Sequence, residues 1–439
     1  MIPYTFADAT RICGGTLQGA DGNGSFDSVS IDTRTLRRGA LYVPIHGLSL
    51  DGHRFIDAAF ERGAVLTLSE QETARPHIRV KSCLDAIQAL ARDYRERFDI
   101  PVVGITGSVG KTTTKDMVNA VVSQRYNTLA TKGNLNNQTG VPQVVFMLKP
   151  EHELAVMELG TNHFGEIDRL SYMSEPTICL FTCIGDAHVE FFGSREGILK
   201  GKLEMLNYAR EGRKVIVNGD DPLLCTVPHD LCYGFDPKYD VYADEIIPNG
   251  LNGTSFTVHY GGKSFRTTVH AAGRHMVANA LAAVAVGSLL GVPSEEMALG
   301  IENFTPPSGR MSVIEHNGIT VLNGAYNSNP TSMQAAIEVL CEAKGRKVCI
   351  FGDMRELGIN GPEYHRETGR FAADKGVDLL ICVGELSQNA VGCGNTVWFR
   401  TQEEMLKALP KLIQKGDTVL VKASLSMDMA KTVKFLTEQ

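Results

Sequence analysis

The residues best suited to chemistry in this 439-residue chain form one run, Gly104-Ile105-Thr106-Gly107-Ser108-Val109-Gly110-Lys111-Thr112-Thr113-Thr114. The apolar segment Val102-Val103-Gly104-Ile105-Thr106 reads as a buried strand leading into it, and residues 115–123 read as a helix leading out. Glycines in a strand-to-helix turn let backbone N–H groups crowd around phosphate oxygens, and the helix N-terminus adds its positive dipole end. Lys111 would then reach the outer phosphates and the Thr112 hydroxyl would meet Mg²⁺. The spacing Gly107-x-x-Gly110-Lys111-Thr112 is a variant of the usual phosphate loop, because Ile105 stands where the longer spacing places its first glycine. A glycine turn with a chance lysine is the plain alternative, and the strand and helix on either side argue against it.

A phosphate loop serves kinases, GTPases and ligases alike. A guanine-reading Asn-Lys-x-Asp segment is absent. The chain continues instead with Lys132-Gly133-Asn134-Leu135-Asn136-Asn137, then Glu158-Leu159-Gly160 after one apolar strand and Ile184-Gly185-Asp186-Ala187-His188 after another. Ligands of open α/β sheets bind beyond the carboxyl ends of the strands, so Lys111, Thr112, Glu158 and His188 are expected around one cleft. A hydroxyl, a carboxylate and an imidazole can hold Mg²⁺, although oxygen is the more usual ligand. Any one of them alone would read as structural.

The elements that must position these groups fall into three stretches. Residues 1–98 are short strands and turns ending in a charged helix over residues 84–98. Residues 99–304 alternate strands (154–157, 178–182, 215–217) with helices, then pass through a polar β-like stretch (239–270) and an alanine-rich helix (277–290). Pro306-Pro307-Ser308-Gly309 marks the second boundary, and residues 305–439 alternate strands (319–322, 348–351, 379–383, 418–421) with helices, in a Rossmann-like pattern. The fold class expected is α/β, with a mostly parallel central sheet wrapped by helices.

Composition agrees with several globular cores: 43% hydrophobic, 21% charged and 44 glycines. A formal net charge of −7 gives no electrostatic reason to expect nucleic acid. Ten scattered cysteines without a CxxC pair read as reduced thiols. No apolar stretch approaches the roughly 20 residues that span a bilayer, and the N-terminus lacks a signal-peptide pattern, so a cytoplasmic protein without stable membrane insertion is expected.

Taken together, these motifs resemble the Mur ligases, ATP-dependent amide-forming enzymes of peptidoglycan synthesis, over essentially the whole chain. The resemblance implies three domains: UDP-sugar binding (1–98), ATP binding (99–304) and a Rossmann-like ligase domain (305–439). Ser30-Ile31-Asp32-Thr33-Arg34 and Gly47-Leu48-Ser49-Leu50-Asp51-Gly52-His53 look like the family's UDP-sugar pattern, which implies substrate contacts at Asp32, Thr33, Arg34, Gly47, Asp51 and His53. Gly107, Ser108, Val109, Gly110, Lys111, Thr112, Thr113, Asn137, Asn279, Arg310, Tyr326 and Asn327 match its nucleotide-binding positions. Two Mg²⁺ ions are implied on Thr112, Glu158, His188 and Lys202, with Lys202 carbamylated and Lys111, Glu158, His188, Lys202 and Arg310 catalytic. Phe351-Gly352-Asp353-Met354-Arg355-Glu356-Leu357-Gly358 with His365 is similar to the members that add D-alanyl-D-alanine to UDP-N-acetylmuramoyl-tripeptide. Those two small molecules and ATP are the implied partners of a monomer.

The chain departs from the family pattern at three sites. Asn323-Gly324 stands for two aspartates, Met276 for an asparagine, and Leu425 for the arginine of Lys-Gly-Ser-Arg. A ligase for another acid and amine, or a silent binding paralogue, therefore stays open on the sequence, although Lys111, Thr112, Glu158, His188, Lys202 and Arg310 are all present.

Overall fold

The computed structural model describes residues 1–47 and 50–438; Leu48 and Ser49 of the second UDP-sugar motif lie outside the described residues. The chain divides into two compact units, and it passes between them several times.

The first unit comprises Met1–Ile105, Tyr126–Cys179 and Leu203–Arg213. It holds a five-stranded sheet in the order Thr16–Gln18, His77–Arg79, Leu66–Ser69, Ala40–Tyr42, Ser28–Ser30. All its neighbours are parallel except the first pair. The helix Cys83–Glu96 starts where the Ser82 hydroxyl accepts from the Asp85 N–H, a standard N-cap. Cys83, Ala86, Ile87, Leu90, Ala91 and Tyr94 recur at helical spacing and form its buried face. The strand Val102–Thr106 is buried throughout and pairs in parallel with Leu154–Glu158, which in turn pairs with Thr128–Ala130.

Arg95 fixes how the helix hands the chain to that strand. It is fully buried, and its guanidinium donates to the carbonyls of Ser174 (3.0 Å), Phe98 (2.5 Å) and Ile100 (3.0 Å). Burial lowers its pKa to about 10. The three bonds clamp the turn between helix and strand, so the first residue of the phosphate-loop strand is placed by a side chain outside the loop.

The second unit comprises residues 106–125, 180–202 and 214–439. The helix expected over residues 115–123 starts four residues earlier and runs Lys111–Val122. Three successive threonines are weak helix formers, but Gly110, at φ +85°, turns the chain, and its carbonyl accepts the first helical bond from Thr114 N–H at 2.8 Å. The alanine-rich helix is Arg274–Leu289 and packs on Lys111–Val122. The polar stretch is three antiparallel strands, Val241–Pro248, Thr254–Tyr260 and Lys263–Val269, coming after Lys214–Asn218 and Leu231–Gly234.

A six-stranded sheet runs in the order Ser312–His316, Ile319–Asn323, Thr418–Lys422, Lys347–Gly352, Leu379–Val383, Thr396–Phe399, parallel except for its first pair. Strand alternation splits its side chains between two cores. Cys349, Phe351 and Leu420 face the helix Pro330–Cys341, whereas Val348, Ile350, Val419 and Val421 face Gln402–Leu412 and Ala430–Glu438. Helices on both faces explain the continuous apolar strands in the sequence.

Replacing Arg95 by methionine should leave three carbonyls without their donor and lower the unfolding free energy by about 3 kcal/mol. Urea denaturation of the full chain checks this; an unchanged midpoint would refute the clamp.

Candidate functional site

The phosphate loop is held from behind. The Ser108 N–H donates to Cys183 O (2.8 Å), the Ser108 hydroxyl donates to Gly185 O (3.3 Å), and the Thr182 hydroxyl donates to Val109 O (2.6 Å). Residues 182–185 are themselves anchored by Asp221, whose carboxylate accepts from Ile184, Leu223 and Leu224 N–H groups. Gly107 approaches Thr182 so closely that a Cβ on it would lie 1.9 Å from the Thr182 hydroxyl oxygen. Lys111 Nζ donates to Gly107 O at 2.7 Å, folding the side chain back over the loop, and Thr112 and Thr113 are buried at the helix start.

Lys202 and His188 share this electrostatic environment. Lys202 is 1% exposed, and burial, reinforced by Lys111, holds its pKa well below the usual lysine value. His188 is held below the ordinary histidine value by burial first and by Lys111 next, against the raising effect of Glu356. The His188 Nδ1 lies 2.5 Å from Glu356 Oε2. The structure thus brings Lys111, His188 and Lys202 into one field.

The remaining nucleotide positions of this unit also acquire partners. Asn279 Oδ1 accepts from the Thr114 hydroxyl at 3.0 Å, and Asn279 Nδ2 donates to Met276 Sδ at 3.8 Å, so the methionine at a departing position still braces this amide. The Arg310 guanidinium stacks 4.1 Å from the Tyr326 ring centroid. Asn327 O accepts from Lys422 Nζ at 2.6 Å, and burial with Arg310 nearby lowers Lys422 to about 7. At the other departures, Asn323 Oδ1 accepts from Ala325 N–H (3.2 Å), and a Cβ on Gly324 would sit 3.2 Å from Met311 Sδ and 3.3 Å from Val421 O. Leu425 is exposed.

In the first unit, Glu158 is buried. Its Oε1 accepts from Asn136 Nδ2 at 2.6 Å, while its Oε2 has no hydrogen-bond partner among the described residues. Asn137 is committed locally, its Oδ1 accepting from Thr139 and Gly140 N–H groups at the start of the helix Gly140–Val145. Asp32 pairs with Arg34 through both carboxylate oxygens, which holds its pKa below the usual aspartate value, and Thr33 lies in the turn between them. Gly47 N–H donates to Leu50 O. Asp51 accepts from His53 N–H and approaches His53 Nδ1 (2.7 Å) and His46 Nδ1 (3.3 Å).

Sequence reasoning assigned no role to Thr182 or Asp221, which hold the loop, nor to Glu356, which meets His188. Asp220-Asp221-Pro222 after an apolar strand is the signal that could have marked Asp221 as a turn anchor. Thr182 and Glu356 act through contacts distant in the chain and leave no such mark.

Gly107→Ala should force a Cβ into Thr182 and cost about 1–3 kcal/mol of local packing. The expected result is ADP affinity reduced at least about tenfold by titration calorimetry, on the same energy scale. Wild-type affinity in that variant would show that the close approach does not matter.

Three family models match consecutive parts of the chain: "Mur ligase family, catalytic domain" over residues 25–95, "Mur ligase middle domain" over 105–287 and "Mur ligase, glutamate ligase domain" over 309–425. The chain is 34% identical to the UDP-N-acetylmuramoyl-tripeptide–D-alanyl-D-alanine ligase of Bacillus subtilis (strain 168), covering 100% of this chain and 99% of that protein. Among solved structures, MurF from Acinetobacter baumannii superposes with a TM-score of 0.94 at 31% identity, covering 100% of this chain and 99% of that one. The MurF ligase of Thermotoga maritima in complex with ADP gives 0.84 at 27% identity, covering 93% and 96%. The α/β architecture read from the sequence is therefore that of these structures, and the chain belongs to the Mur ligase family.

Proposed function

We propose that this chain is an ATP-dependent ligase of peptidoglycan precursor synthesis that joins D-alanyl-D-alanine to UDP-N-acetylmuramoyl-tripeptide. The observation that carries the reading is the full-length similarity to ligases of that name, in a chain whose phosphate loop and Lys111 are built for nucleotide.

Forming an amide from a carboxylate and an amine in water is uphill, so the acid is activated first. A carboxylate oxygen of the tripeptide attacks the γ-phosphorus of ATP, ADP leaves, and an acyl phosphate results. The amine of D-alanyl-D-alanine adds to the acyl carbon, the tetrahedral intermediate loses a proton, and phosphate departs with the oxygen that came from the carboxylate. Lys111 and the backbone N–H groups at the start of Lys111–Val122 stabilise the charge that spreads over the transferred phosphoryl group. Arg310, stacked on Tyr326, is proposed to meet the same phosphates. Asp32, Thr33, Arg34, Gly47, Asp51 and His53 are proposed to hold the UDP-sugar end, while Asn137, Asn279 and Asn327 serve the nucleotide.

The metal roles are proposed residue by residue. Glu158 Oε2 is buried with no hydrogen-bond partner among the described residues, which suits a carboxylate oxygen that would take a cation. Thr112, His188 and Lys202 complete the set proposed for two Mg²⁺ ions. When bound there, Mg²⁺ would neutralise phosphate charge and make the phosphoryl group more electrophilic. Lys202 is proposed to be carbamylated. A lysine with its pKa held down gives up its proton more readily, and a neutral amine adds to CO₂, losing a proton to give the carboxylate a metal needs. The division at 98/99 and 304/305, action as a monomer and a cytoplasmic location are proposed with this reading; among the described residues no helix is long and apolar enough to cross a membrane.

Incubation with ATP, Mg²⁺, UDP-N-acetylmuramoyl-tripeptide and D-alanyl-D-alanine should release phosphate only when both organic substrates are present, with one new amide by mass. Lys111→Ala should lower the rate at least about 10³-fold. Retained turnover in that variant would refute the loop assignment, and silence of the wild type with intact ADP binding would point to a different acid or amine.

A further inference from the structure

Glu356 lies 168 residues from His188 in the chain, yet its Oε2 stands 2.5 Å from His188 Nδ1. Both residues adopt left-handed backbone conformations, φ +62° at His188 and φ +63° at Glu356, which non-glycine residues rarely take up. Such strain persists only where the surroundings impose it.

Here the surroundings do so on both sides. The segment carrying Glu356 is pinned at successive residues. Asp353 Oδ1 accepts from Leu386 and Ser387 N–H groups (3.0 and 2.8 Å), Met354 N–H donates to His365 Nε2 (2.9 Å), and Arg355 N–H donates to the Ser424 hydroxyl (2.8 Å). His365 is oriented in turn by Gly361 O, 2.7 Å from its Nδ1. On the His188 side, a Cβ on Gly358 would come within 3.6 Å of Glu190 Cα, and burial together with the nearby Asp186 carboxylate raises the Tyr364 hydroxyl above the ordinary tyrosine pKa. The Asp353-Met354-Arg355-Glu356-Leu357-Gly358 stretch is therefore a rigid mount, and Glu356 is the side chain it aims at the imidazole.

We propose that Glu356 is the positioning residue of His188. A carboxylate oxygen only accepts, so Nδ1 carries the ring hydrogen and Nε2 keeps the lone pair. A histidine that serves as a metal ligand through one nitrogen commonly donates from the other to a carboxylate, which fixes tautomer and ring orientation. The carboxylate also opposes Lys111, whose charge bears on this ring. The inference rests on the proposed role of His188 as an Mg²⁺ ligand. It adds that the ligand is set by a residue of the C-terminal region, so that the ring is correctly presented only while that region is docked on it.

The test is the long-range ¹H–¹⁵N spectrum of the full chain, ring-¹⁵N-labelled at histidine and free of metal, with the His188 signals assigned through His188→Gln. The wild type should show the Nδ1–H tautomer, Glu356→Ala should convert it to Nε2–H or a mixture, and Glu356→Gln, whose amide oxygen still accepts, should restore Nδ1–H. An Nε2–H tautomer in the wild type, or an unchanged spectrum in Glu356→Ala, overturns the inference. Mn²⁺ binding in the presence of ADP, followed by electron paramagnetic resonance, separates this from the metal reading. Glu356→Ala should lose about 10–100-fold in Mn²⁺ affinity, with Glu356→Gln between it and the wild type. If His188→Gln loses affinity and Glu356→Ala does not, Glu356 does not position a ligand. If His188→Gln binds Mn²⁺ like the wild type, the metal role of His188 falls and takes the ligand-presenting part of the inference with it.

Discussion

Three basic side chains, Lys111, His188 and Lys202, lie within one another's electrostatic reach in a largely buried place, and most of the site derives from that crowding. Burial and mutual repulsion push the lysine and the histidine towards their neutral forms. A neutral lysine is a nucleophile and a neutral imidazole is a ligand, which is the basis for proposing a carbamate at Lys202 and a metal at His188. Glu356 supplies one negative charge beside His188, and a nucleoside triphosphate would bring more.

The backbone around the cluster is tied so that the phosphate loop keeps its shape. Thr182, Cys183 and Gly185 tie down the loop from one side, Asp221 holds those residues in place, and Arg95 fixes the entry of the strand that feeds it. Gly107 and Gly110 are the positions where side chains would spoil the arrangement, the first through a clash with Thr182 and the second through its positive φ.

Much of this was legible in the sequence for physical reasons. Strands buried on both faces appear as unbroken apolar runs, which is why residues 102–106, 348–351 and 418–421 could be placed without a structure. The phosphate loop was legible because its glycines and lysine are adjacent in the chain. The helix start was not, since the threonines at 112–114 carry little helical preference and the turn at Gly110 decides the matter. Contacts such as Glu356 with His188, or Arg95 with the carbonyl of Ser174, join residues far apart in the chain and carry no local pattern. The departures at Met276 and Gly324 looked like losses in the sequence. In the structure Met276 braces Asn279, and Gly324 occupies a place with little room for a side chain.

Activation of a carboxylate by phosphoryl transfer is the centre of the account, and the path of one oxygen atom tests it most directly. UDP-N-acetylmuramoyl-tripeptide labelled with ¹⁸O in the reacting carboxylate would be turned over with ATP and D-alanyl-D-alanine, and the released phosphate analysed by mass. Transfer of one ¹⁸O to phosphate in each turnover is the result predicted. Phosphate free of label, formed together with the new amide, would contradict an acyl phosphate and with it the mechanism built on this site.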